Sequence, residues 1–389
     1  MMMHNFDSSP DRKGTSSVKW DLTKTVFGRD DVLPMWVADM DFPPPPEVLD
    51  ALHKRVEHGI FGYTYTGGSL GKAVSSWMKE RHNWEVKESS LLYSSGIVPA
   101  IATIIKAFTE KGDGILMHSP VYTPFFSLAE SNGRIAKKAP LVIKKGQFTV
   151  DFHAFEEALK QGVKLFLLCS PHNPGGRVWT KEELLKMAEL CKKYGVLIIS
   201  DEIHADLVHK PNTHIPIASL KKEIEDITLT LAAPSKTFNI AGLQASAMII
   251  PNKELREKVA EEHLKQGIFT LNTFGVVGME AAYLHGGDWL DSLISYLANN
   301  IEEVKTFVKA ELPELSVMEP EATYLLWIDF RDTGKTETEL QDLLLNKGKL
   351  ALEPGSKFGE DGEGFFRMNI ACTRDTLRDG LERLKKALS

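Results

Sequence analysis

The stretch GVLIISDEIH, residues 195–204, decides the fold. Residues 196–199 have the length and apolar composition of a buried strand, and polar side chains follow them directly. The segment before them, residues 181–194, opens with Thr180 and Glu183 at the spacing of a capping box, which predicts a helix. A helix that leads straight into a buried strand is typical of a parallel sheet covered by helices.

The same alternation recurs from residue 91 onward. Apolar runs of strand length lie at residues 91–93, 114–117, 164–168, 196–199, 227–231 and 247–250. We interpret all six as parallel strands of one sheet with helices on both faces. In such α/β sheets ligands bind at the carboxyl edge of the strands, so we expect the functional site there.

A chain of 389 residues is too long for one compact core and predicts two domains. We expect residues 47–286 to form a large α/β domain and residues 287–389 to form a smaller α+β domain. Residues 1–46 end in four consecutive prolines and predict an irregular arm that packs with the small domain.

Composition argues against several classes of function. The formal net charge is −7, and basic residues are interleaved with acidic ones, which disfavours nucleic-acid binding. No apolar run approaches the ~20 residues of a membrane span, and the N-terminus lacks the apolar segment of a secretory signal. The cysteines, Cys169, Cys191 and Cys372, are odd in number and widely spaced, as expected of reduced thiols. We therefore expect a cytoplasmic protein.

Polar and unusual residues follow one apolar run after another. The five loops are Ser94-Ser95-Gly96, Ser119-Pro120-Val121-Tyr122, Ser170-Pro171-His172-Asn173-Pro174, Asp201-Glu202-Ile203-His204 and Pro234-Ser235-Lys236. If the strands are parallel, these loops share one edge of the sheet. Together they supply the groups that a phosphorylated pyridine aldehyde requires.

The first loop suits a phosphate group. Ser95 and Gly96 lie between a strand and the apolar run of residues 97–108, so free backbone N–H groups at the start of a helix would face outward. A small-residue turn before a helix would look the same, and only the neighbouring loops favour phosphate.

Asp201 and Lys236 define the predicted chemistry. Asp201 follows a buried strand, where a carboxylate is costly unless it meets a cation, either a protonated pyridine nitrogen or an internal arginine. Lys236 follows the apolar residues 227–233, and a lysine amine at the edge of an apolar sheet tends to have a lowered pKa, which makes it a usable nucleophile and base. Most lysines are solvated surface charges, but few follow a buried strand in a Pro-Ser-Lys turn.

Three further side chains would complete this site. Tyr122 could stack on a flat cofactor, or it could be a plain core aromatic. Asn173 could donate to a phenolic oxygen, and His204 could support the carboxylate of Asp201.

Other polar residues in this part of the chain have simpler interpretations. A zinc site formed by His204, His209 and His214 is disfavoured, because these residues lie along a loop that contains proline and no cysteine pairs with them. We expect Glu202 and Asp206 to be helix-start and surface residues.

At these residues the chain resembles the fold-type I pyridoxal-phosphate enzymes, the aspartate-aminotransferase superfamily, and within it the cystathionine β-lyase or C–S lyase branch. The stretches that carry the resemblance are PMWVADMDF (34–42), PHNPGGRVW (171–179), SDEIHADL (200–207) and SKTFNIAGL (235–243). The resemblance extends over essentially the whole chain. It implies a mostly parallel seven-stranded sheet between helices, a smaller α+β domain, and pyridoxal 5′-phosphate as the cofactor.

The resemblance also implies a role for each site residue. Lys236 would form the Schiff base, with Asp201 and Tyr122 as further catalytic groups. Residues implied to bind the cofactor are Lys236, Asp201, Asn173, Tyr122, His204, Ser95, Gly96, Ile97, Ser235 and, from the neighbouring subunit, Tyr63. Residues implied to bind the substrate are Arg367, Ala38, Asn173 and Tyr122. A homodimer with its active sites at the subunit interface follows, without a metal ion.

Two positions depart from the pattern of many aminotransferases in this superfamily. Those enzymes have a serine three places before the lysine and an arginine eight places after it, where this chain has Ala233 and Gln244. The phosphate site is therefore less cationic. Members of the lyase branch also tend to lack that arginine, so the change favours elimination over transamination.

The expected activity is α,β-elimination from L-cystathionine or related S-substituted cysteines, which gives pyruvate, ammonia and a thiol. An aminotransferase on the same fold is the alternative. A regulatory protein that keeps this fold to bind another protein is a third, but the intact Lys236, Asp201 and Arg367 argue against lost catalysis.

Overall fold

The computed structural model describes residues 4–389. The helices are α1 (Val18–Asp21), α2 (Thr23–Phe27), α3 (Pro46–His58), α4 (Ser69–His82), α5 (Ile97–Phe108), α6 (Pro124–Ser131), α7 (Phe152–Leu159), α8 (Lys181–Lys193), α9 (Lys222–Glu225), α10 (Pro234–Thr237), α11 (Lys253–Lys265), α12 (Thr273–His285), α13 (Gly287–Glu311), α14 (Glu337–Asp342) and α15 (Arg374–Leu388). The strands are β1 (Leu33–Pro34), β2 (Leu91–Ser94), β3 (Gly114–Ser119), β4 (Ile135–Lys144), β5 (Gln147–Val150), β6 (Val163–Cys169), β7 (Leu197–Asp201), β8 (Thr228–Ala232), β9 (Ser246–Ile249), β10 (Ser316–Val317), β11 (Leu325–Asp329), β12 (Leu350–Ala351), β13 (Glu353–Pro354) and β14 (Phe365–Asn369).

The large sheet has the strand order β2-β9-β8-β7-β6-β3-β4-β5. Its central strands, from β8 through β7, β6 and β3 to β4, are parallel to one another. The α/β class and the mostly parallel sheet predicted from the sequence are confirmed.

Some details of the sheet differ from the prediction. The run at residues 247–250, expected to be parallel, is β9, which pairs antiparallel with both β2 and β8. The hairpin of β4 and β5 was not predicted, and β5 adds an eighth strand to the expected seven. Lys137, Lys138, Pro140 and Lys144 interrupt the apolar residues of β4, so its sequence lacks the continuous signal of a buried strand.

Helices cover both faces of the sheet because its strands bury side chains in both directions. Along β6, Leu165 and Leu167 pack in a cluster with residues of α5 and α6, whereas Phe166 and Leu168 pack with residues of α7 and α8. Alternation of this kind is expected of a strand that is buried on both sides. The predicted capping box of Thr180 and Glu183 is present at the start of α8.

A second sheet, of order β10-β11-β14-β13, is antiparallel throughout. The segment before α3 reaches this part of the chain: β1 pairs in parallel with β12, and the Asn369 amide of β14 donates to the Met35 carbonyl at 2.9 Å. These pairings bring residues 33–41 beside the carboxyl edge of the large sheet. Across residues 4–389, no helix combines the length and apolar character that spanning a membrane would require.

Candidate active site

A cavity of about 430 Å³ opens at the carboxyl edge of the parallel strands. The predicted site residues that line it are Ala38, Ser95, Gly96, Ile97, Tyr122, Asn173, Asp201, His204, Ser235, Lys236 and Arg367. They come from the arm, from five loops of the large sheet and from β14. The fold therefore gathers in one place residues up to 329 positions apart, from Ala38 to Arg367.

Lys236 lies on α10, the short helix that follows β8. Its Nζ donates to the Ala38 carbonyl at 2.6 Å. Burial lowers the pKa of Lys236 to about 8 and the positive charge of Arg367 adds to this, while Asp39 and Asp201 oppose it. An amine with this pKa is partly neutral near pH 7.5, so it can act as a nucleophile and as a base.

Asp201 ends β7 and is 4% exposed. One carboxylate oxygen accepts the Ile203 amide at 3.1 Å. Burial raises the pKa of Asp201 to about 7 and Glu202 adds to the shift, whereas the Ile203 N–H and Lys236 counteract it. Burial makes the charged form of this carboxylate costly, and a cationic partner in the cavity would stabilise that form.

Arg367 and Asn173 meet across the cavity. The Arg367 guanidinium donates from Nη1 to Asn173 Oδ1 at 3.1 Å and from Nη2 to the Trp36 carbonyl at 2.8 Å. Its Nε is buried and has no hydrogen-bond partner among the described residues. Because Oδ1 of Asn173 is an acceptor here, the NH₂ group of Asn173 remains the donor, which suits the predicted bond to a phenolic oxygen.

Tyr122 and His204 also face the cavity. Burial raises the pKa of the Tyr122 hydroxyl, and the Tyr122 ring packs edge-on against Phe125 with 5.8 Å between centroids. Burial lowers the pKa of His204 to about 3, so its imidazole is neutral at physiological pH. Within residues 4–389, His204 Nδ1 is buried without a hydrogen-bond partner.

Ser95, Gly96 and Ile97 lie where the 12-residue helix α5 begins. Gly96 has φ +151° and ψ 171°, a conformation that is essentially restricted to glycine. The N-terminus of α5 thus opens onto the cavity without a side-chain cap, and backbone N–H groups there can bind an anion. Ser235 lines the same cavity.

Tyr63 lies outside this cavity, in the loop between α3 and α4, and its side chain is fully exposed. Exposed apolar neighbours surround it in sequence: Ile60, Phe61 and Tyr65 are 66%, 54% and 83% exposed. Within one subunit, Tyr63 is therefore separate from the other predicted site residues.

Several residues that line the cavity were not assigned to the site from the sequence, among them Trp36, Cys169 and Glu353. Trp36 and Glu353 lie in short strands or loops whose place beside the large sheet depends on long-range pairing. Gln244, noted as a departure, does line the cavity.

The interpretation of Glu202 and Asp206 as helix-start and surface residues was wrong. Glu202 is 4% exposed and accepts a hydrogen bond from His214 at 2.9 Å. The carboxylate of Asp206 is also buried, and it accepts three hydrogen bonds: from Trp77 Nε1 at 2.9 Å, from His82 Nε2 at 2.7 Å and from Thr237 Oγ1 at 2.7 Å. These buried pairs stabilise the loops that carry Asp201 and Lys236.

Comparison with known proteins identifies relatives along the whole chain. Residues 30–384 match the model of the family described as aminotransferase class I and II. Cystathionine beta-lyase PatB of Bacillus subtilis is 50% identical over 386 residues, which cover 99% of this chain and 100% of that protein.

Solved structures agree with this relationship. Cystalysin of Treponema denticola, whose crystal structure contains a pyridoxal 5′-phosphate cofactor, superposes with a TM-score of 0.96 at 36% identity and covers 100% of this chain and 99% of its own. The PLP-bound C–S lyase of Staphylococcus hominis superposes with a TM-score of 0.92 at 33% identity over 99% of this chain and 98% of its own. The chain therefore belongs to the aminotransferase class I and II family.

Proposed function

We propose that this protein is a pyridoxal-phosphate-dependent carbon–sulfur β-lyase. It cleaves the Cβ–S bond of L-cystathionine or a related S-substituted cysteine and releases pyruvate, ammonia and a thiol. The observation that carries the proposal is the single cavity in which Lys236, Asp201 and Arg367 meet. The C–S lyases and cystathionine β-lyase among its relatives support the same activity.

The cavity residues fit pyridoxal 5′-phosphate. Lys236 presents an amine with a pKa near 8, and Asp201 presents a buried carboxylate that has one backbone donor. The backbone at Gly96 and Ile97, with the hydroxyls of Ser95 and Ser235, would hold the phosphate. Tyr122 would stack on the ring, Asn173 would donate to the phenolic oxygen, and His204 would lie beside Asp201. The chemistry supplied by the bound cofactor is an aldehyde carbon for the amine and a ring that accepts electrons.

Each residue has a defined task in the reaction. Arg367 binds the substrate α-carboxylate with its two Nη groups. Their hydrogen bonds to Asn173 Oδ1 and to the Trp36 carbonyl are replaced by hydrogen bonds to the two carboxylate oxygens. Asp201 holds a proton at the ring nitrogen. Lys236, in its neutral form, takes the proton from Cα.

Bond changes at the substrate then follow from that proton transfer. The electrons of the Cα–H bond form a double bond to Cβ, and the sulfur leaves with the electron pair of the Cβ–S bond and gains a proton. The remaining three-carbon enamine reacts with one water and gives pyruvate and ammonia. Cystathionine would yield homocysteine as the thiol.

The site also needs a second subunit in this proposal. The exposed apolar loop of Ile60, Phe61, Tyr63 and Tyr65 is a surface suited to another copy of the chain, as is Phe269, which is 77% exposed. In a homodimer with its active sites at the interface, Tyr63 would reach the phosphate of the neighbouring subunit.

We propose further that the N-terminal arm, expected at residues 1–46 and described from residue 4, belongs with a small domain of residues 287–389, and that residues 47–286 form the cofactor domain. The backbone bonds between the arm and β14 support this division. A cytoplasmic location is supported by the three buried cysteines, none of which is in a disulfide in the described structure.

The deciding experiment mixes the purified holoenzyme with L-cystathionine. Pyruvate is followed with lactate dehydrogenase, and the thiol with a chromogenic disulfide. We expect both products in equal amounts, and no product from Lys236→Ala. Transfer of the amino group to an added 2-oxo acid, without pyruvate or thiol, would instead identify an aminotransferase and overturn the proposal.

A further inference from the structure

Among the described residues that line the cavity, Asp201, Lys236, Glu353 and Arg367 are the Asp, Glu, Lys and Arg side chains. The proposed mechanism uses three of them. Glu353 has no part in it, although a carboxylate in a substrate cavity must influence which substrates bind. Its surroundings indicate what that influence is.

Glu353 lies directly beside Arg367. The two residues are partners in the antiparallel pairing of β13 with β14, and opposite residues in such a pair share one face with Cβ atoms ~4.5–5.5 Å apart. The hydrogen bonds of Arg367 go to Asn173 and to the Trp36 carbonyl. The carboxylate of Glu353 is thus next to the group proposed to bind the α-carboxylate, without being its hydrogen-bond partner.

Glu353 instead forms an ion pair on the solvent side of the cavity. Its Oε1 is 2.5 Å from Nζ of Lys357, and the two side chains are 10% and 46% exposed. Lys357 Nζ lies 5.9 Å from the ring centroid of Trp36, which itself lines the cavity. A buried anion beside Arg367 and a partly exposed cation therefore lie next to each other.

We propose that Glu353 determines substrate specificity by binding an ammonium group at the far end of the leaving group, with Lys357 binding the accompanying carboxylate. This pair would select a zwitterionic leaving group, such as the homocysteine half of cystathionine, over an uncharged S-alkyl group. Only Lys357 of this pair is partly exposed, and the cost of separating it from the buried Glu353 is offset because each charge regains an opposite partner from the substrate. The inference rests on the proposed function for its substrate.

The test uses amino acids that cannot undergo C–S cleavage, so that binding is measured apart from the reaction. L-lysine, L-norleucine and L-2-aminoadipate carry a distal ammonium, no distal charge and a distal carboxylate, respectively. Their dissociation constants are measured by calorimetry on the holoenzyme. We expect L-lysine to bind about tenfold more tightly than L-norleucine, a difference of about 1.4 kcal/mol.

Three variants test which side chain causes each binding preference. Glu353→Gln keeps the shape of the side chain and should abolish the preference for L-lysine over L-norleucine. Glu363→Gln removes one carboxylate from an exposed position outside the cavity lining and should preserve the preference. Lys357→Met should weaken L-2-aminoadipate relative to L-norleucine by a similar factor.

Several outcomes would overturn the inference. Equal binding of L-lysine and L-norleucine to the wild type would do so, as would an unchanged ratio in Glu353→Gln. Equal weakening of all three ligands in Glu353→Gln would show that Glu353 only positions Arg367. If the charge preference follows Glu353 but L-cystathionine yields no pyruvate, the inference stands and the proposed lyase activity fails.

Discussion

Asp206 is the strongest test of how the fold positions the reactive lysine. Its buried carboxylate accepts hydrogen bonds from Trp77 and His82 of α4 and from Thr237, the residue next to Lys236. Asp206→Asn keeps the shape of the side chain but removes the charge and turns one acceptor into a donor. A hydrogen bond to a charged group contributes about 1.5–3 kcal/mol, and we expect the free energy of unfolding to fall by that amount.

Asp206→Ala should cost more, about 3–5 kcal/mol, because it removes one partner of a buried pair and leaves the others unsatisfied. Both variants loosen α10, so kcat for pyruvate release should also fall, by about 10- to 100-fold, since small displacements of a reactive group are costly. Urea unfolding of the holoenzyme, followed by tryptophan fluorescence, measures the first effect. The coupled pyruvate assay measures the second.

The matched control is Asp291→Asn. Asp291 pairs with Arg81 of the same helix α4 at 2.6 Å, but this pair is exposed, so the change should cost about 1 kcal/mol or less. The reasoning is refuted if Asp206→Asn and Asp291→Asn unfold at the same urea concentration and turn over at the same rate.

The effect of Asp206 should also depend on pH. Burial raises the pKa of Asp206, but hydrogen bonds from His82, Thr237 and Trp77 outweigh burial and hold it below its usual value. A carboxylate whose pKa is lower in the folded state contributes stability above its unfolded pKa, about 3.9, and loses that contribution as the pH falls through the folded value. The stability difference between wild type and Asp206→Asn should therefore shrink below about pH 4.

Three further predictions concern the cavity. The neutral amine of Lys236 forms as the pH rises through its pKa of about 8, so the rate of cofactor attachment to the apoenzyme, read by absorbance, should increase from pH 7 to 9; a flat profile would contradict the lowered pKa. Gly96→Ala places a residue with a side chain at φ +151°, at a cost of about 1–3 kcal/mol. The change should weaken cofactor binding, measured by equilibrium dialysis. Unchanged binding would show that the backbone at Gly96 does not contact the cofactor. Arg367→Lys removes bidentate binding and should raise KM for L-cystathionine about tenfold or more with a smaller change in kcat; a fall in kcat alone would place Arg367 elsewhere in the reaction.

Much of the site could be predicted because its signals are local. Asp201 and Lys236 each follow a buried run in a loop of unusual composition, and the parallel arrangement of β6, β7 and β8 brings such loops to one edge. The structure places both residues in one cavity, as the prediction required, and the family and the C–S lyase branch are confirmed by the comparisons.

The errors arose where long-range contacts decide. Asp206 is polar and close to a turn, so its sequence context resembles that of a surface residue. It is buried by α4, which lies more than 120 positions earlier in the chain. The direction of β9 depends on which edge of the sheet it joins, and periodicity carries no information about direction. Glu353 could not be assigned to the site from the sequence, because its place in the cavity depends on the pairing of its strand opposite Arg367.

The carbonyls of the arm have a consequence for ligand affinity. The Trp36 carbonyl accepts a hydrogen bond from Nη2 of Arg367, the residue proposed to bind the substrate carboxylate. A substrate carboxylate that binds Arg367 must therefore displace this carbonyl oxygen, so the new hydrogen bond replaces an existing one. A measured dissociation constant then reports the difference between the bond of Arg367 to the substrate and its bond to the Trp36 carbonyl. A change that moves the Trp36 carbonyl away from Arg367 should tighten substrate binding without adding a contact to the substrate.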